Sequence, residues 1–378
     1  MERELLYQRI YSDLLQGIRD KTYPPGSRLP SEKELAEKYG VSRITSKKAL
    51  EMLADQKRIS RMPGKGSFVL DDTDVEIDME ERSTSGVNAL TGKRMIGVVF
   101  DDFSSTFGSD ILHGIEYECR KRDYYMLLKC TYGSVAEETK AIDDLIALGV
   151  DGIILMCVQG ETYNANILKL VLEKFPIVLV DRELTGLPIP CVNTDNYNAA
   201  KDLMHLLFDN GHTDICFLSH PFVQTSTVAA RFNGYLDSML ERGLSTNENM
   251  WIRNLGTVLP GMDEQETEED MDLERIRTFI KENPQVTGFF AVDQPIGGMV
   301  YRVLKEMGLE KEKEVAFFDG IVENYGMSEG FSCVIQGQYM MGVRAVKLLH
   351  RNFRGEAVPQ KYCVPYTLVK GEYFPGKK

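Results

Sequence analysis

The apolar positions of the first 20 residues recur at helical spacing. Leu6, Ile10, Leu14 and Ile18 fall on one face of a helix. The run Tyr-Pro-Pro-Gly at 23–26 ends that helix, because proline and glycine do not continue a helical pattern. The pattern therefore predicts a first helix with one buried face.

A helix-turn-helix is predicted directly after this break. Ser31 and Glu34 have the spacing of a capping box, which begins a second helix that runs to about residue 39. Residues 40–42, Gly-Val-Ser, form a short turn, and Ser42 can cap a third helix. That third helix carries basic residues on one face and apolar residues on another.

A small hairpin follows the third helix. Residues 59–62 and 67–69 are predicted to be short strands, and the Pro-Gly-Lys-Gly turn between them places Lys65 at its tip. A basic helix beside a hairpin is also compatible with two solvated surface elements. The order of capping box, turn, third helix and hairpin favours a winged helix-turn-helix that binds DNA.

Beyond residue 93, short β-rich runs alternate with helical patterns. Strands are predicted first at 96–100, 125–129, 152–156 and 177–180, and then at 214–219, 288–292 and 315–318. Alternation of this kind is typical of βαβ units on parallel sheets. The two series predict an α/β body with two lobes.

Acidic stretches separate or interrupt these parts. Residues 71–92 are acidic and then rich in Ser, Thr and Gly, which is typical of a linker. We therefore expect a DNA-binding domain at 1–70, a linker at 71–92, and a two-lobed domain at 93–378. Residues 261–272 carry no core-forming pattern and are predicted to be a surface loop.

Charge is divided unevenly along the chain. Residues 1–70 contain 14 Lys and Arg against 9 Asp and Glu, whereas the remaining residues contain 30 against 48. The net charge of −13 therefore combines a basic head with an acidic body. Nucleic acid attracts the basic head and repels the acidic body, so an approach with the head toward the nucleic acid is favoured.

Cysteine, histidine and hydropathy patterns exclude several classes of protein. The seven cysteines contain no Cys-x-x-Cys pair, and the histidines lack metal-ligand spacing, so we expect no disulfide framework, no metal site and no cofactor. The first ten residues lack the apolar core of a signal peptide, and no apolar run approaches a membrane span. We expect a cytoplasmic protein that does not bind membranes.

The head resembles the winged helices of the gluconate-repressor (GntR) family. The matching motifs are Pro25-Gly26-x-x-Leu29-Pro30-Ser31-Glu32, Val41-Ser42-Arg43-x-Thr45 and Gly64-x-Gly66-x-Phe68-Val69. The resemblance implies that Arg28, Arg43 and Lys47 contact operator DNA. Lys47 stands where arginine is usual, which favours a contact with phosphate. The candidate DNA-binding residues are Arg28, Ser31, Ser42, Arg43, Thr45, Lys47, Lys65 and Gly66.

Polar and aromatic residues follow the predicted strands of the body, where the ligands of parallel sheets bind. Carboxylates accept hydrogen bonds from hydroxyl groups, arginines donate to oxygen atoms, and an aromatic ring covers the apolar face of a sugar. Each aspartate alone could be a cap or a turn residue, but the shared location favours a site for a hydroxylated small molecule. The candidates at strand ends are Ser105, Phe107, Asp181, Arg182, Asp293 and Asp319, and Arg231 joins them from the start of a helix in the second lobe.

The body also resembles the effector domain of lactose-repressor (LacI) type regulators and of periplasmic sugar-binding proteins, from residue 94 to about 372. The stretches that carry the resemblance are Ile177-Val178-Leu179-Val180-Asp181-Arg182, Asn210-Gly211-His212, Thr227-Val228-Ala229-Ala230-Arg231, Phe317-Phe318-Asp319-Gly320 and Ile335-Gln336. Against the ribose-binding protein pattern, the sugar-contacting positions that keep their residue type are Asp181, Arg182, Arg231, Asp319 and Gln336. The resemblance thus implies a periplasmic-binding-protein-like body and adds Gln336 to the candidate ligand residues.

Two departures from the ribose pattern bear on the effector. Asp293 and Gln294 replace the usual Asn-Asp pair, and Gly108 stands where a second aromatic ring is common. We therefore expect a neutral monosaccharide other than ribose, and predict a pentose or a 6-deoxyhexose. A phosphorylated or acidic ligand fits poorly beside the carboxylates.

These features predict a homodimeric, sugar-responsive transcriptional regulator with the architecture of an arabinose repressor. Its partners would be operator DNA and the sugar, which closes the lobes, changes the spacing of the two heads and relieves repression. A sugar-binding or transport protein is one alternative, although the fused basic head opposes it. An enzyme that acts on a sugar is another.

One motif superficially favours an enzyme. Residues 326–330, Gly-Met-Ser-Glu-Gly, fit the nucleophile pattern of hydrolases, which requires a strand before the serine and a helix after it. Here a predicted strand at 332–336 follows the serine. We therefore expect no catalytic residue.

Overall fold

The computed structural model describes the chain in ten ranges: 6–20, 22–24, 27–55, 59–62, 66–69, 92–160, 164–221, 224–256, 266–320 and 330–372. The chain divides into two compact units, residues 1–82 and residues 83–378. Apart from Gly92, the predicted linker lies outside the described residues. So does the serine of the hydrolase-like motif.

The first unit is a helix-turn-helix followed by a hairpin. Its elements are α1 (Leu6–Arg19), α2 (Glu32–Tyr39), α3 (Arg43–Asp55), β1 (Ile59–Met62) and β2 (Gly66–Val69). The predicted capping box is confirmed, since the Glu34 amide donates to Ser31 Oγ at 3.3 Å and the Ser31 amide donates to a Glu34 carboxylate oxygen at 2.7 Å. Gly40 ends α2 in the left-handed conformation, with φ of 63°. β1 and β2 pair antiparallel, and the turn at 63–65 lies outside the described residues.

A small apolar core joins the elements of this unit. Its buried members are Ile10, Tyr11, Leu14, Leu15, Leu29, Leu35, Ala49, Leu50, Leu53, Ile59 and Val69. Ser46 is fully buried in α3, where its hydroxyl donates to the carbonyl oxygens of Glu32 at 2.7 Å and Arg43 at 3.1 Å. A buried hydroxyl with partners costs little. The core therefore accepts a serine at this position.

The second unit begins with lobe 1, in which helices cover a parallel sheet. In sheet order the strands are β13 (Lys361–Val364), β7 (Cys191–Thr194), β6 (Ile177–Val180), β5 (Gly152–Leu155), β3 (Met95–Phe100) and β4 (Tyr125–Cys130). The helices are α4 (Ser109–Lys121), α5 (Val135–Ala147), α6 (Ala165–Leu172) and α11 (Gln338–Phe353). Side chains alternate between the two faces of the sheet, so each face has its own apolar cluster.

Lobe 2 has a similar layered arrangement. In sheet order its strands are β14 (Tyr366–Val369), β12 (Ser332–Gln336), β11 (Glu314–Phe318), β10 (Gly288–Ala291), β8 (Ile215–Leu218) and β9 (Trp251–Ile252), with β14 antiparallel to β12 and the others parallel. The helices are α7 (Asn196–Asp209), α8 (Ser226–Glu241), α9 (Glu266–Glu282) and α10 (Gln294–Glu306). No helix in the described ranges is both long and apolar enough to span a membrane.

The prediction of a surface loop at 261–272 is wrong for residues 266–272, which begin α9. Asp272 is fully buried, accepts a hydrogen bond from the Gly256 amide at 2.8 Å and pairs with Arg275 at 2.7 Å. Acidic residues stabilise the first turns of a helix, and a pattern of apolar spacing does not detect them. Residues 261–265 lie outside the described residues.

Short connections carry the chain between the lobes after β7, after β12 and after β13. Any change in the angle between the lobes must be absorbed by these connections. At the second one, Gln338 is fixed to lobe 1, because its side chain accepts from the Gly108 amide and donates to the Thr106 carbonyl oxygen, both at 2.9 Å. Gln336 therefore lies directly beside a candidate hinge.

The helices α4 and α11 touch backbone to backbone. A Cβ atom at Gly342 would overlap the carbonyl oxygen of Ile111, and one at Gly114 would overlap the carbonyl oxygen of Tyr339. Close packing of this kind leaves no room for a methyl group. The contact packs α11, which follows this connection, closely against α4 of lobe 1.

Gly342→Ala should destabilise the second unit, because the added methyl group forces the two helices apart. We expect the free energy of unfolding to fall by about 1–3 kcal/mol in chemical denaturation. Met340→Ala, in the exposed part of the same helix, is the control and should change it by about 0.5 kcal/mol or less. Equal effects of the two substitutions would contradict the close contact.

Candidate functional site

A cleft lies between the lobes at the carboxyl ends of their parallel strands, with an empty volume of about 790 Å³ that includes its open mouth. The predicted ligand residues that line it are Phe107, Asp181, Arg182, Arg231, Asp293, Asp319 and Gln336. Ser105 is exposed and does not line the cleft, whereas its neighbours Ser104 and Thr106 do. The placement of Ser105 in the site is therefore corrected, because the loop after β3 turns at this residue. The structure adds Phe103, a second aromatic ring.

Asp181 and Asp319 hold equivalent positions in the two lobes. Each directly follows a central strand, and each adopts a positive φ, 64° for Asp181 and 69° for Asp319. This conformation is unfavourable for residues other than glycine and is concentrated at functional sites. The unfavourable backbone conformation thus occurs at the two residues whose carboxyl groups line the cleft.

A buried ion pair orients Arg182. Its Nη1 donates to Asp101 Oδ2 and to the Cys157 carbonyl oxygen, both at 2.6 Å, and the other Asp101 oxygen accepts from the Gly133 amide at 2.8 Å. Asp101 directly follows β3, so the strand-end rule could have identified it from the sequence. Removing it would leave a largely buried guanidinium without its counter-ion.

Arg231 is restrained on several sides. Its guanidinium lies 4.0 Å from the centroid of the Phe318 ring, its Nε donates to Asn196 Oδ1 at 2.8 Å, and its Nη1 donates to the Val292 carbonyl oxygen at 2.6 Å. The same Nη1 is 4.0 Å from Asp319 Oδ2. Sequence reasoning missed Asn196, since it acts on the cleft only through Arg231.

Three aspartates of the cleft have a raised pKa. Burial raises the pKa of Asp319 to about 7, and the charges of Asp181 and Asp293 act in the same direction, whereas Arg231 opposes the shift. Burial also raises the pKa of Asp181 and of Asp293. These carboxyl groups therefore keep their protons to a higher pH than exposed aspartates do.

His220 also lines the cleft, and its pKa is shifted in the opposite direction. Burial lowers the pKa of its imidazole to about 3, and the positive charges of Arg182 and Arg231 lower it further. The ring is therefore neutral at physiological pH. A neutral imidazole offers one donor and one acceptor.

Several buried acceptor atoms in the cleft have no hydrogen-bond partner among the described residues. They are Asp181 Oδ1, Gln159 Oε1 and Gln336 Oε1. The amide nitrogen of Gln336 donates to Asp319 Oδ1 at 2.6 Å, which fixes the orientation of that side chain. An unsatisfied buried polar atom costs about 1–3 kcal/mol. A molecule with several O–H or N–H donors would remove this cost.

Hydrogen bonds between the lobes close one side of the cleft. The Gly160 amide of lobe 1 donates to Thr225 Oγ1 at 3.0 Å, and the Glu183 amide donates to Ser226 Oγ at 2.8 Å. Thr225 and Ser226 begin α8 in lobe 2, and Thr225 also lines the cleft. The lobes are therefore in contact beside the site.

In the first unit, the structure brings two of the predicted DNA-binding residues together. A Cβ atom at Gly66 would lie 2.7 Å from Arg28 Nε, so the exposed Arg28 side chain crosses the start of β2. Ser31 serves as the cap of α2. Lys65 lies outside the described residues.

The first turn of α3 uses its hydroxyl groups internally. Ser42 Oγ accepts from the Thr45 amide at 3.2 Å and lies 2.9 Å from the Thr45 hydroxyl. Arg43 is exposed, and the exposed Lys47 lies 3.6 Å from Glu51. The basic side chains of this face therefore remain accessible, whereas Ser42 and Thr45 stabilise the helix start.

Asp319→Asn should change how stability depends on pH. Between about pH 4 and pH 7 the folded protein retains a proton on Asp319 that the unfolded chain has released, so wild-type stability falls as pH rises. In the variant this pH-dependent loss of stability is absent. The difference in Tm, variant minus wild type, should therefore increase as the pH rises from about 4 to about 7. Asp209→Asn, at the exposed end of α7, should show no such trend. A difference independent of pH would contradict the raised pKa.

Comparisons with known proteins agree with this architecture. The family described as periplasmic binding protein domain matches residues 96–357, and the family described as bacterial regulatory proteins, gntR family, matches residues 6–69. Catabolite control protein A of Priestia megaterium is 24% identical over 265 residues, which cover 70% of this chain and 76% of that protein.

Two further matches span similar or larger parts of the chain. The arabinose metabolism transcriptional repressor of Halalkalibacterium halodurans is 22% identical over 348 residues, which cover 90% of this chain and 86% of that protein. The crystal structure of the lac repressor dimer bound to operator and the anti-inducer ONPF has a TM-score of 0.63 at 17% identity, and the match covers 76% of this chain and 96% of that one. This structural likeness shows the fold. The predicted fold class and family resemblance are thus confirmed, and the homologues are transcriptional regulators of the LacI and GntR families. The chain belongs to the periplasmic binding protein domain family and carries a GntR-type helix-turn-helix domain before it.

Proposed function

We propose that the protein is a transcriptional repressor that a small neutral sugar releases from its operator. The observation that carries the proposal is the combination, on one chain, of a winged helix with an exposed basic turn and a cleft with unpartnered acceptor atoms. The relatives named for catabolite control and for repression of arabinose metabolism support it.

The DNA-binding part of the proposal rests on the exposed cations of the first unit. With α3 in the major groove, Arg43 donates to a guanine edge or to phosphate, and Lys47 contacts the backbone. Arg28 extends the basic surface toward β2. Ser42 and Thr45 are assigned a supporting role, because their hydroxyl groups already bond to each other.

The chemistry of the cleft favours a neutral polyol as the effector. Its unpartnered acceptors match the donors of sugar hydroxyl groups, and the rings of Phe103 and Phe107 can cover an apolar sugar face. Arg182 already pairs with Asp101, and Arg231 already donates to Asn196 and to the Val292 carbonyl oxygen, so both guanidinium groups are engaged, which disfavours a phosphate or carboxylate ligand. A pentose or 6-deoxyhexose remains our proposal for its class.

Release from DNA would follow from differential binding to two arrangements of the lobes. A ligand that contacts both lobes favours the closed arrangement, and it can shift the equilibrium only by its difference in affinity for the two. In a homodimer, a change in the body alters the spacing of two heads that must match operator half-sites. A coupling of about 1–3 kcal/mol would change operator affinity about 5- to 150-fold.

The test begins with DNA selected by the protein from a random pool, followed by fluorescence anisotropy in the presence of individual monosaccharides. We expect one class of sugar to weaken binding about 5- to 150-fold. Asp181→Ala should bind the same DNA and lose the response, whereas Asp209→Ala, outside the cleft, should keep it. Failure to select any sequence would contradict DNA recognition. Selected DNA that no sugar affects would contradict the sensor.

Arg43→Ala should weaken binding to the selected DNA by about 1–3 kcal/mol if the guanidinium reads a base. The loss of affinity should be larger on the selected sequence than on unrelated DNA. Lys281→Ala removes the same charge from an exposed position on α9 and is the control. Unchanged affinity of Arg43→Ala would remove this residue from the interface.

A further inference from the structure

The first turn of α3 exposes a large apolar side chain. Ile44 is 80% exposed, whereas Ala49, Leu50 and Leu53 of the same helix are buried in the core. Core packing therefore does not require an isoleucine at this position. Helix propensity does not favour it either, because a β-branched residue forms helices less readily than alanine or lysine.

The neighbours of Ile44 indicate what this side chain meets. Arg43 precedes it, and Lys47 and Lys48 lie one turn further along the same helix, at spacings that place them beside it. Lys48 Nζ lies 4.2 Å from the centroid of the Tyr7 ring, so its charge stays near the surface of the unit. An apolar protein surface placed here would desolvate these cations without compensating their charge, whereas a polyanion would compensate it.

The hydroxyl groups of the same turn are occupied. Ser42 and Thr45 bond to each other, and Ser46 bonds to backbone carbonyl oxygens in the core. The side chains of this turn that project outward are those of Arg43 and Ile44. The turn thus presents one strong donor and one apolar group next to each other.

We propose that Ile44 is a specificity-determining residue that contacts the C5-methyl group of a thymine in the operator half-site, beside the base pair that Arg43 reads. The proposal rests on the proposed binding of DNA. In the major groove the thymine methyl is the apolar group, and it distinguishes a T·A pair from the others. Arg43 and Ile44 together then read two neighbouring base pairs by different chemistry.

The expected effect is modest and measurable. Burial of one methyl-sized group is worth about 0.8 kcal/mol, which corresponds to about a fourfold change in affinity. Deoxyuridine differs from thymidine in DNA only by the absence of this methyl group. Replacing a single thymine by uracil therefore removes the proposed contact and keeps every hydrogen-bonding group of the base pair.

The experiment is a double-mutant cycle between protein and DNA. Each thymine of the DNA selected by wild-type protein is replaced in turn by uracil, and Kd is measured by anisotropy for wild type, Ile44→Ala and Ile44→Val. Wild type should lose about fourfold at one thymine of each half-site. Ile44→Ala should bind the original DNA more weakly and be insensitive to that replacement. Ile44→Val retains a branched apolar side chain and should keep most of the sensitivity.

Each alternative outcome is decisive. Absence of any uracil effect in wild type, or an equal effect in wild type and Ile44→Ala, would overturn the contact. An unchanged Tm of Ile44→Ala is expected, because the side chain is exposed, and it separates loss of contact from loss of fold. If wild type selects no sequence at all, the proposed DNA-binding function itself fails. If wild type selects DNA and only the cycle fails, the function stands without this contact.

Discussion

The need to compensate buried charge governs the cleft. Arg182 and Arg231 are desolvated between the lobes, and each is held by carbonyl oxygens and by an aspartate nearby. The arginines are thereby fixed in position before a ligand arrives, which limits the entropy lost on binding. Among the described residues, Asp181 Oδ1, Gln159 Oε1 and Gln336 Oε1 are buried acceptors without a hydrogen-bond partner. Their chemistry is complementary to O–H and N–H donors.

Gln336 and Gln338 link the cleft to a connection between the lobes. Gln336 bonds to Asp319 in the cleft, and two residues later Gln338 is tied to the loop before α4. The glycine contact between α4 and α11 then carries this position into the body of lobe 1. A ligand that reorients Gln336 acts directly on a connection between the lobes.

Much of the fold could be predicted from the sequence, because buried strands are short apolar runs with helical patterns between them. β3, β5, β6 and β10 were all located in this way. The pattern did not predict the helices α6 and α7 or the short strands β7, β9, β13 and β14. The apolar residues of α7 do recur at helical spacing, at Ala199, Leu203 and Leu207, so that helix was detectable. The strands are only two to four residues long, and their pairing decides their structure. Strand-pairing partners far apart in the chain leave no local signal.

The site was predictable to the extent that its residues follow strands. Asp181, Asp293 and Asp319 could be identified since the ends of parallel strands meet at one edge. Asn196 could not be identified, because it acts through a hydrogen bond to Arg231, which lies 35 residues further along the chain. Likewise, the assignment of Ser105 depended on the local path of a loop, which apolar spacing does not determine.

The hydrogen bonds of Thr225 and Ser226 tie one wall of the cleft to the opposite lobe. They join the lobes beside the cleft, and Thr225 is part of its wall. A molecule that extended past Thr225 on this side would have to separate its hydroxyl from the Gly160 amide. The start of α8 thus belongs to two contacts at once, the wall of the cleft and the junction of the lobes, so a molecule that displaced it would change both.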